Sequence, residues 1–227
     1  MDYDGQILCG ADTTQAASGE LCKWPALDVL WTTIADLPGF GQDSFRQAAE
    51  TAWGFWSSVC GIRPKYTTDP AQANILIGLQ TIGPGGVLAD SELPCGFTTM
   101  SQKCRQRYDT AEAWVVAENP PPNRVDLVRV MCHELGHAIG IPHIGTGNLM
   151  APVYSGAIRR PTSGDIAEAV ARYGLPSPVG PGPIPEPGTG VINVVPFDPA
   201  LVSGLVASIV RLKSGEFRIA FNGKLIG

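Results

Sequence analysis

The chain has 227 residues, 44% hydrophobic and 16% charged, with a formal net charge of -5. That length holds one well-cored domain plus an appendage, and the composition excludes a disordered chain. The acidic balance argues against nucleic acid or an anionic membrane as partner, and no apolar run approaches the roughly 20 residues of a membrane-crossing helix.

Residues 1–23 are polar, rich in Gly, Thr and Ser, and read as an N-terminal arm carrying Cys9 and Cys22. The opening MDYDGQILCGADTT has neither a basic start nor an apolar run of export length, which leaves the route out of the cell open. DVLWTTIADLP is β-branched and aromatic up to Pro38 and predicts a strand. In GQDSFRQAAETAWGFWSSVCG, Phe45, Ala48, Ala49, Ala52, Trp53 and Trp56 recur at helical spacing, with Asp43 as the expected cap and Gly61 as the stop. ANILIGLQT predicts a second strand leading into the turn-rich IGPGGVLADSELPCG, and EAWVVAE a third, broken by NPPPN. From Asn123 a helical pattern runs through Val125, Val128, Met131 and Leu135 to Ala138, and a last helix fits SGDIAEAVARYG, ending at Gly174.

Past Leu175 the composition changes to a Pro/Gly linker, residues 176–190, that favours extended chain. The remaining segment, 191–227, predicts a short helix near Leu201–Leu212 and a hairpin turning at Asn222-Gly223. So short a piece seldom folds alone, and the expectation is that it docks, attaches or oligomerises. Six cysteines fit an oxidising compartment and leave fifteen complete pairings open. Cys95 with Cys104, and Cys9 with Cys22, are near enough to close small loops, and reduced buried thiols are the alternative.

All three histidines fall within VMCHELGHAIGIPH. His133 and His137 are four apart in a helical pattern, so both rings share one face. Gly140 lets the chain leave the helix sharply and return His143 as a third ligand. Three nitrogen ligands leave a fourth position open, the arrangement of catalytic rather than structural zinc. Such an ion makes water acidic near neutral pH, and Glu134, beside His133, is placed to take that proton and pass it to a leaving amine. The chemistry is peptide-bond hydrolysis without a covalent intermediate.

The pattern H-E-x-x-H-x-x-G-x-x-H, with Met150 in GNLMAP seven residues after His143, resembles the metzincin zinc peptidases, and Pro152 and Tyr154 after it look like the matrixin (matrix metalloproteinase) branch. The similarity covers most of 24–175. It implies an α+β zincin fold with a mixed twisted sheet, about three helices, and a small tail after the linker. Pro152, Val153 and Tyr154 would wall the pocket for the side chain just after the cut bond. Arg129 would shorten its base, or be a surface arginine. Gly86, Val87, Leu88 and Ala89 would give an edge strand that pairs with an extended substrate, and Asp165 would support the methionine turn. Asp109 and Glu112 match calcium ligands, whereas Asp90 and Arg107 stand where the family keeps histidines for a second zinc, so that zinc is expected to be absent.

Cys9-Gly10 stands about where the family places an inhibitory thiol but lacks the flanking arginine and prolines; a disulfide is the first expectation for it and latency the alternative. The implied function is a zinc endopeptidase acting on protein or peptide substrates, extracellular or secreted, with virion or surface association also open. The competing reading is a peptidase-like binding or structural module with little turnover.

Overall fold

A computed structural model describes Cys9, residues 22–40, 43–81 and 86–176, and three strand segments in the tail. The chain divides into two compact units, Met1–Gly180 and Pro181–Gly227. In the first unit, strands β1 (Asp28–Thr33), β2 (Arg63–Tyr66), β3 (Ile75–Gln80), β4 (Ala89–Ser91) and β5 (Cys104–Asp109) form one sheet in the order β2-β1-β3-β5-β4. Every pairing is parallel except that of β4 with β5, which makes β4 an antiparallel edge. A short parallel pair, β6 (Trp114–Val115) with β7 (Val125–Asp126), lies apart from it. The helices are α1 (Ser44–Val59), α2 (Leu127–Ala138) and α3 (Ser163–Tyr173). This is the expected α+β zincin arrangement, a mixed sheet with three helices among the described residues.

Alternation along the strands builds the core. Val29 and Trp31 of β1, Ile75 and Ile77 of β3, and Cys104 and Tyr108 of β5 are all buried. Helix α1 meets them through Phe45 against Tyr108 and Trp53 against Trp31, with ring centroids 5.3 and 6.4 Å apart. The other side of α1 holds α2, where the indole of Trp56 donates to the Cys132 carbonyl at 2.8 Å. Every residue of α2 is buried, including Arg129, His133, Glu134 and His137. A helix enclosed on all sides keeps its polar side chains in fixed rotamers, which a metal site requires.

The end of α2 is held unusually firmly. The last carbonyls of a helix lack partners within it. Here the Trp24 indole donates to the Ala138 carbonyl at 2.7 Å, the Tyr173 hydroxyl to that of Ile139 at 2.9 Å, and Arg172 Nε to that of Gly140 at 2.9 Å. Arg172 also reaches the Cys22 carbonyl at 3.2 Å, so the start of the folded unit and α3 together fix where the chain leaves α2.

Several local expectations are corrected. Asp43 does precede α1, but with φ of 67° and no side-chain bond to the helix backbone; its carboxylate accepts from Arg46 instead. The helical pattern begins not at Asn123, whose φ is 65°, but at Leu127, because Val125 and Asp126 pair with β6. Asp126 then caps α2, accepting from the Val128 amide at 3.3 Å. EAWVVAE contributes only the two residues of β6. In the tail unit, Ala207–Arg211 (β8) is a strand rather than helix, paired antiparallel with Phe217–Phe221 (β9), consistent with its β-branched Ile209 and Val210. Lys224–Leu225 (β10) pairs back onto β9 across Asn222-Gly223. The linker beyond Pro176, residues 191–206 and the turn residues 222–223 lie outside the described residues.

Neither short-loop cysteine pairing occurs. Cys22 is bonded to Cys95, 73 residues away, while Cys9, Cys60, Cys104 and Cys132 are buried thiols outside any disulfide. Cys104 points into the core from β5 and Cys9 lies against the edge of the sheet, so neither can meet the partner expected for it. The Cys22–Cys95 bond ties the entry of the folded unit to the loop after β4. Closing a loop of that length stabilises the fold by about 4 kcal/mol through the unfolded state. Replacing Cys22 and Cys95 together by serine is expected to lower unfolding free energy by that order in chemical denaturation, and no loss would contradict the covalent tie.

Candidate metal centre

His133 and His137 lie one turn apart on α2. Their Nδ1 atoms are each 2.7 Å from a backbone carbonyl, Leu149 O for His133 and Ile141 O for His137. A carbonyl only accepts, so both Nδ1 atoms carry the proton and both Nε2 atoms present lone pairs. Those two Nε2 atoms are 3.1 Å apart with no proton to share between them. Gly140, with φ of 90°, turns the chain out of α2 and brings His143 to within 4.7 and 5.6 Å of the other two rings, centroid to centroid. His143 Nε2 is buried without a partner. Converging lone pairs in a buried site call for a cation, and imidazole nitrogen suits zinc.

Burial lowers the affinity of all three rings for protons, to a pKa of about 3 for His133 and well below the ordinary value for His137, helped there by the two neighbouring rings. Neutral rings are the metal-binding form. A fourth atom joins them: Cys9 Sγ lies with the three histidine nitrogens inside a group whose members are all within 4.8 Å of one another. The expectation of a disulfide for Cys9 is therefore replaced by a thiol at the centre.

Glu134 is buried beside this group. Its Oε2 accepts from the Cys9 thiol at 3.3 Å, and its Oε1 has no partner. Burial holds its carboxyl well above the usual carboxylate range, the Cys9 bond opposing and the charge of Asp90 adding to the rise. Cys9 also forms a parallel bridge with Ala89, the first residue of β4; of the expected edge strand only Ala89 belongs to it, while Gly86, Val87 and Leu88 precede it outside any strand.

Beneath the rings, Met150 and Leu149 receive their support from Asp165. Its carboxylate accepts from the Leu149 amide at 2.8 Å and the Met150 amide at 3.0 Å, and from both the amide and hydroxyl of Thr162 at the start of α3. Gly136 allows this approach, since a Cβ there would lie 2.3 Å from Met150 Sδ. Beyond the methionine, Pro152 and Val153 are exposed while Tyr154 is buried. The Tyr154 hydroxyl accepts from Arg129 Nη1 at 2.8 Å and from the Asp126 amide at 3.3 Å. Arg129 is 2% exposed, which excludes the surface reading, and it lines a cavity of about 10 Å³ together with Leu149, Val153 and Ile158.

The remaining expected positions lie elsewhere. Asp109 ends β5, buried, its Oδ1 accepting from the Ala111 amide at 3.0 Å, and Glu112 follows in the next turn. Asp90 and Arg107 face each other across β4 and β5 as an ion pair of 2.6 Å. Sequence reading passed over the residues that orient the site: the carbonyls of Leu149 and Ile141, and the Trp24, Arg172 and Tyr173 side chains. Backbone acceptors carry no residue signature, and the others become visible only once the two ends of the domain meet.

Residues 23–174 match the sequence profile described as Matrixin. The chain belongs to the matrixin family. It is 30% identical to matrix metalloproteinase-17 of Homo sapiens over 166 residues, covering 68% of this chain and 25% of that protein. It is also similar to stromelysin-3 of Xenopus laevis, 32% identical over 106 residues (46% of this chain, 21% of the relative), and to metalloendoproteinase 1 of Glycine max, 30% over 125 (49% and 38%). The chain thus spans well under half the length of these matrixin relatives.

Two outcomes follow for this matrixin centre. Because Glu134 binds its proton more tightly folded than unfolded, its contribution to stability is full below the ordinary carboxylate range and lost as pH rises. Glu134→Gln is therefore expected to stabilise the metal-stripped protein by about 1–3 kcal/mol at pH 7 and hardly at all near pH 4 in denaturant titrations; an equal gain at both pH values would contradict the burial argument. Gly140→Ala places a Cβ 2.0 Å from the Cys22 carbonyl at positive φ, and should abolish stoichiometric metal binding as read by elemental analysis.

Proposed function

We propose that this matrixin domain is a zinc endopeptidase held inactive by its own Cys9. What carries this reading is the convergence of His133, His137, His143 and Cys9 on one point, with Glu134 bonded to the same thiol. Zinc bound there would supply a Lewis acid for water and for the scissile carbonyl. Glu134 supplies the base: a cation held by the three histidines would favour its carboxylate form, and its unpartnered Oε1 is placed to take a proton and pass it to the leaving amine. While Cys9 remains, its sulfur would fill the fourth ligand position as a thiolate, its proton passing to the Glu134 oxygen it already faces, so ligand position and base are blocked together.

Cys9, bridged to Ala89, stands at the start of the β4 edge that an extended substrate would use, by the backbone pairing that sheet edges offer. Withdrawal of Cys9 would free edge, base and ligand position in one step. Cys22 stays fixed through Cys95, so the release cut falls between Cys9 and Cys22. Tyr154, Val153 and Pro152 then form the wall, and Arg129 the base, of the pocket for the residue after the cut bond.

The Cys22–Cys95 bond supports an oxidising, extracellular setting. The Asp90–Arg107 ion pair supports the absence of a second zinc from β4 and β5, since a guanidinium has no lone pair to donate. Calcium is proposed at the turn of Asp109 and Glu112, whose hard oxygens suit it. Residues 176–190 are proposed as a tether carrying the three-stranded tail, which would serve attachment or oligomerisation. A binding module without turnover is not favoured, because a grip on peptide needs no buried carboxylate beside a metal site.

Hydrolysis of a quenched fluorescent peptide library separates these readings. Zinc-loaded full chain is expected to be at least about tenfold slower than the Cys9→Ser chain or the chain cut between Cys9 and Cys22, and Glu134→Ala should abolish cleavage in either background with zinc retained. Equal rates with and without Cys9 would remove the latency, and cleavage that survives loss of Glu134 would remove the mechanism.

A further inference from the structure

Arg129 is a buried charge without a counter-charge. Its side chain is 2% exposed, its Nε has no hydrogen-bond partner, and its Nη1 donates to a neutral hydroxyl, that of Tyr154, over whose ring the guanidinium lies at 5.2 Å. The carboxylate nearest in sequence, Asp126, is taken: Arg159 donates to it through Nε and through Nη2, the latter at 3.3 Å. No ion pair among the described residues involves Arg129. A guanidinium stays charged at physiological pH, and burying one without an anion is costly unless something else brings the anion.

The cavity beside it says what could. It is lined by Arg129, Asn148, Leu149, Val153, Ser155 and Ile158, and its volume of about 10 Å³ leaves room for roughly one water molecule. A long apolar side chain entering there would press against the cation and leave it unpaired. A short acidic side chain reaching it would place one carboxylate oxygen where that water fits and accept from the guanidinium, whose fork matches carboxylate geometry.

We propose that Arg129 makes this matrixin select substrates with an acidic residue, aspartate ahead of glutamate, immediately after the cut bond. The proposal rests on the endopeptidase reading, in which this cavity receives that side chain. Asn148 and Ser155 add polar lining, and Leu149 and Ile158 exclude water from the pair. Arg129 is thus a specificity residue and takes no part in moving protons.

The test uses full-length, zinc-loaded Cys9→Ser protein and peptides differing only in the residue after the cut bond: Asp, Glu, Ser or Leu. Expected kcat/KM is about 10- to 100-fold higher for Asp than for Leu, the discrimination that an unsatisfied buried polar group imposes. Arg129→Met should reverse the order, and Arg129→Lys, which keeps the charge, should retain an acidic preference even if Arg129→Met folds poorly. A second readout needs no turnover: in the Cys9→Ser, Glu134→Ala double variant, product peptides beginning with Asp should bind more tightly than those beginning with Leu by calorimetry. Leu equal to or better than Asp in both readouts, or an acidic preference that survives in folded Arg129→Met, would overturn the proposal. Absence of any Glu134-dependent cleavage together with tighter Asp binding would overturn the enzyme reading, and substrate selection with it, leaving only an acidic preference of the Arg129 cavity in binding.

Discussion

The two Nδ1–H to carbonyl hydrogen bonds, His133 to Leu149 and His137 to Ile141, decide the character of the whole centre. They choose the tautomer of each ring, and the tautomer aims both Nε2 lone pairs at one point, where they sit 3.1 Å apart and a cation would relieve them. The surrounding fold can be understood as what holds those two carbonyls in place. Asp165 fixes the Leu149–Met150 turn from the start of α3, and the Trp24, Tyr173 and Arg172 side chains fix the exit from α2 that leads to Ile141 and His143. Parts of the chain 149 residues apart meet in one such contact, Trp24 with Tyr173.

A fold that buries this much polarity carries an electrostatic cost, and three of the five unsatisfied buried side-chain atoms among the described residues belong to α2 or to His143. Glu134 Oε1, His143 Nε2 and Arg129 Nε are buried and unpartnered, the first two beside the histidine group and the third beside the small cavity. Two further such atoms, Trp53 Nε1 and Gln106 Nε2, lie outside that pattern, and nothing in the structure explains them. The arm answers the cost only in part: Cys9 offers Glu134 a hydrogen bond and the histidines a fourth ligand atom, but brings no charge to Arg129.

The candidate site was largely legible in the sequence because metal ligands are side chains at fixed helical spacing, and HELGHAIGIPH states three of them with the base and the turn glycine. The sheet was legible where strands are apolar, as in DVLWTT and ILIGLQ, but not in β5, whose CRQRYD hides its inward row behind Gln106 and three charged residues. Pro64 similarly disguises β2. Long-range partners escaped altogether. Cys22 pairs with Cys95 across 73 residues, a choice that chain proximity misjudges, and Cys9 reaches the centre although the residues usually flanking such a thiol are missing. In the tail, the β-branched pairing of β8 with β9 prevailed over an apolar run that fits a helix equally well.

X-ray absorption at the zinc edge tests the central claim most directly. The full chain is predicted to bind one zinc with three histidine nitrogens and one sulfur in its first shell, and the Cys9→Ser chain to show the same nitrogens with oxygen in place of sulfur. A shell without three imidazoles, or one whose sulfur persists without Cys9, would contradict the account.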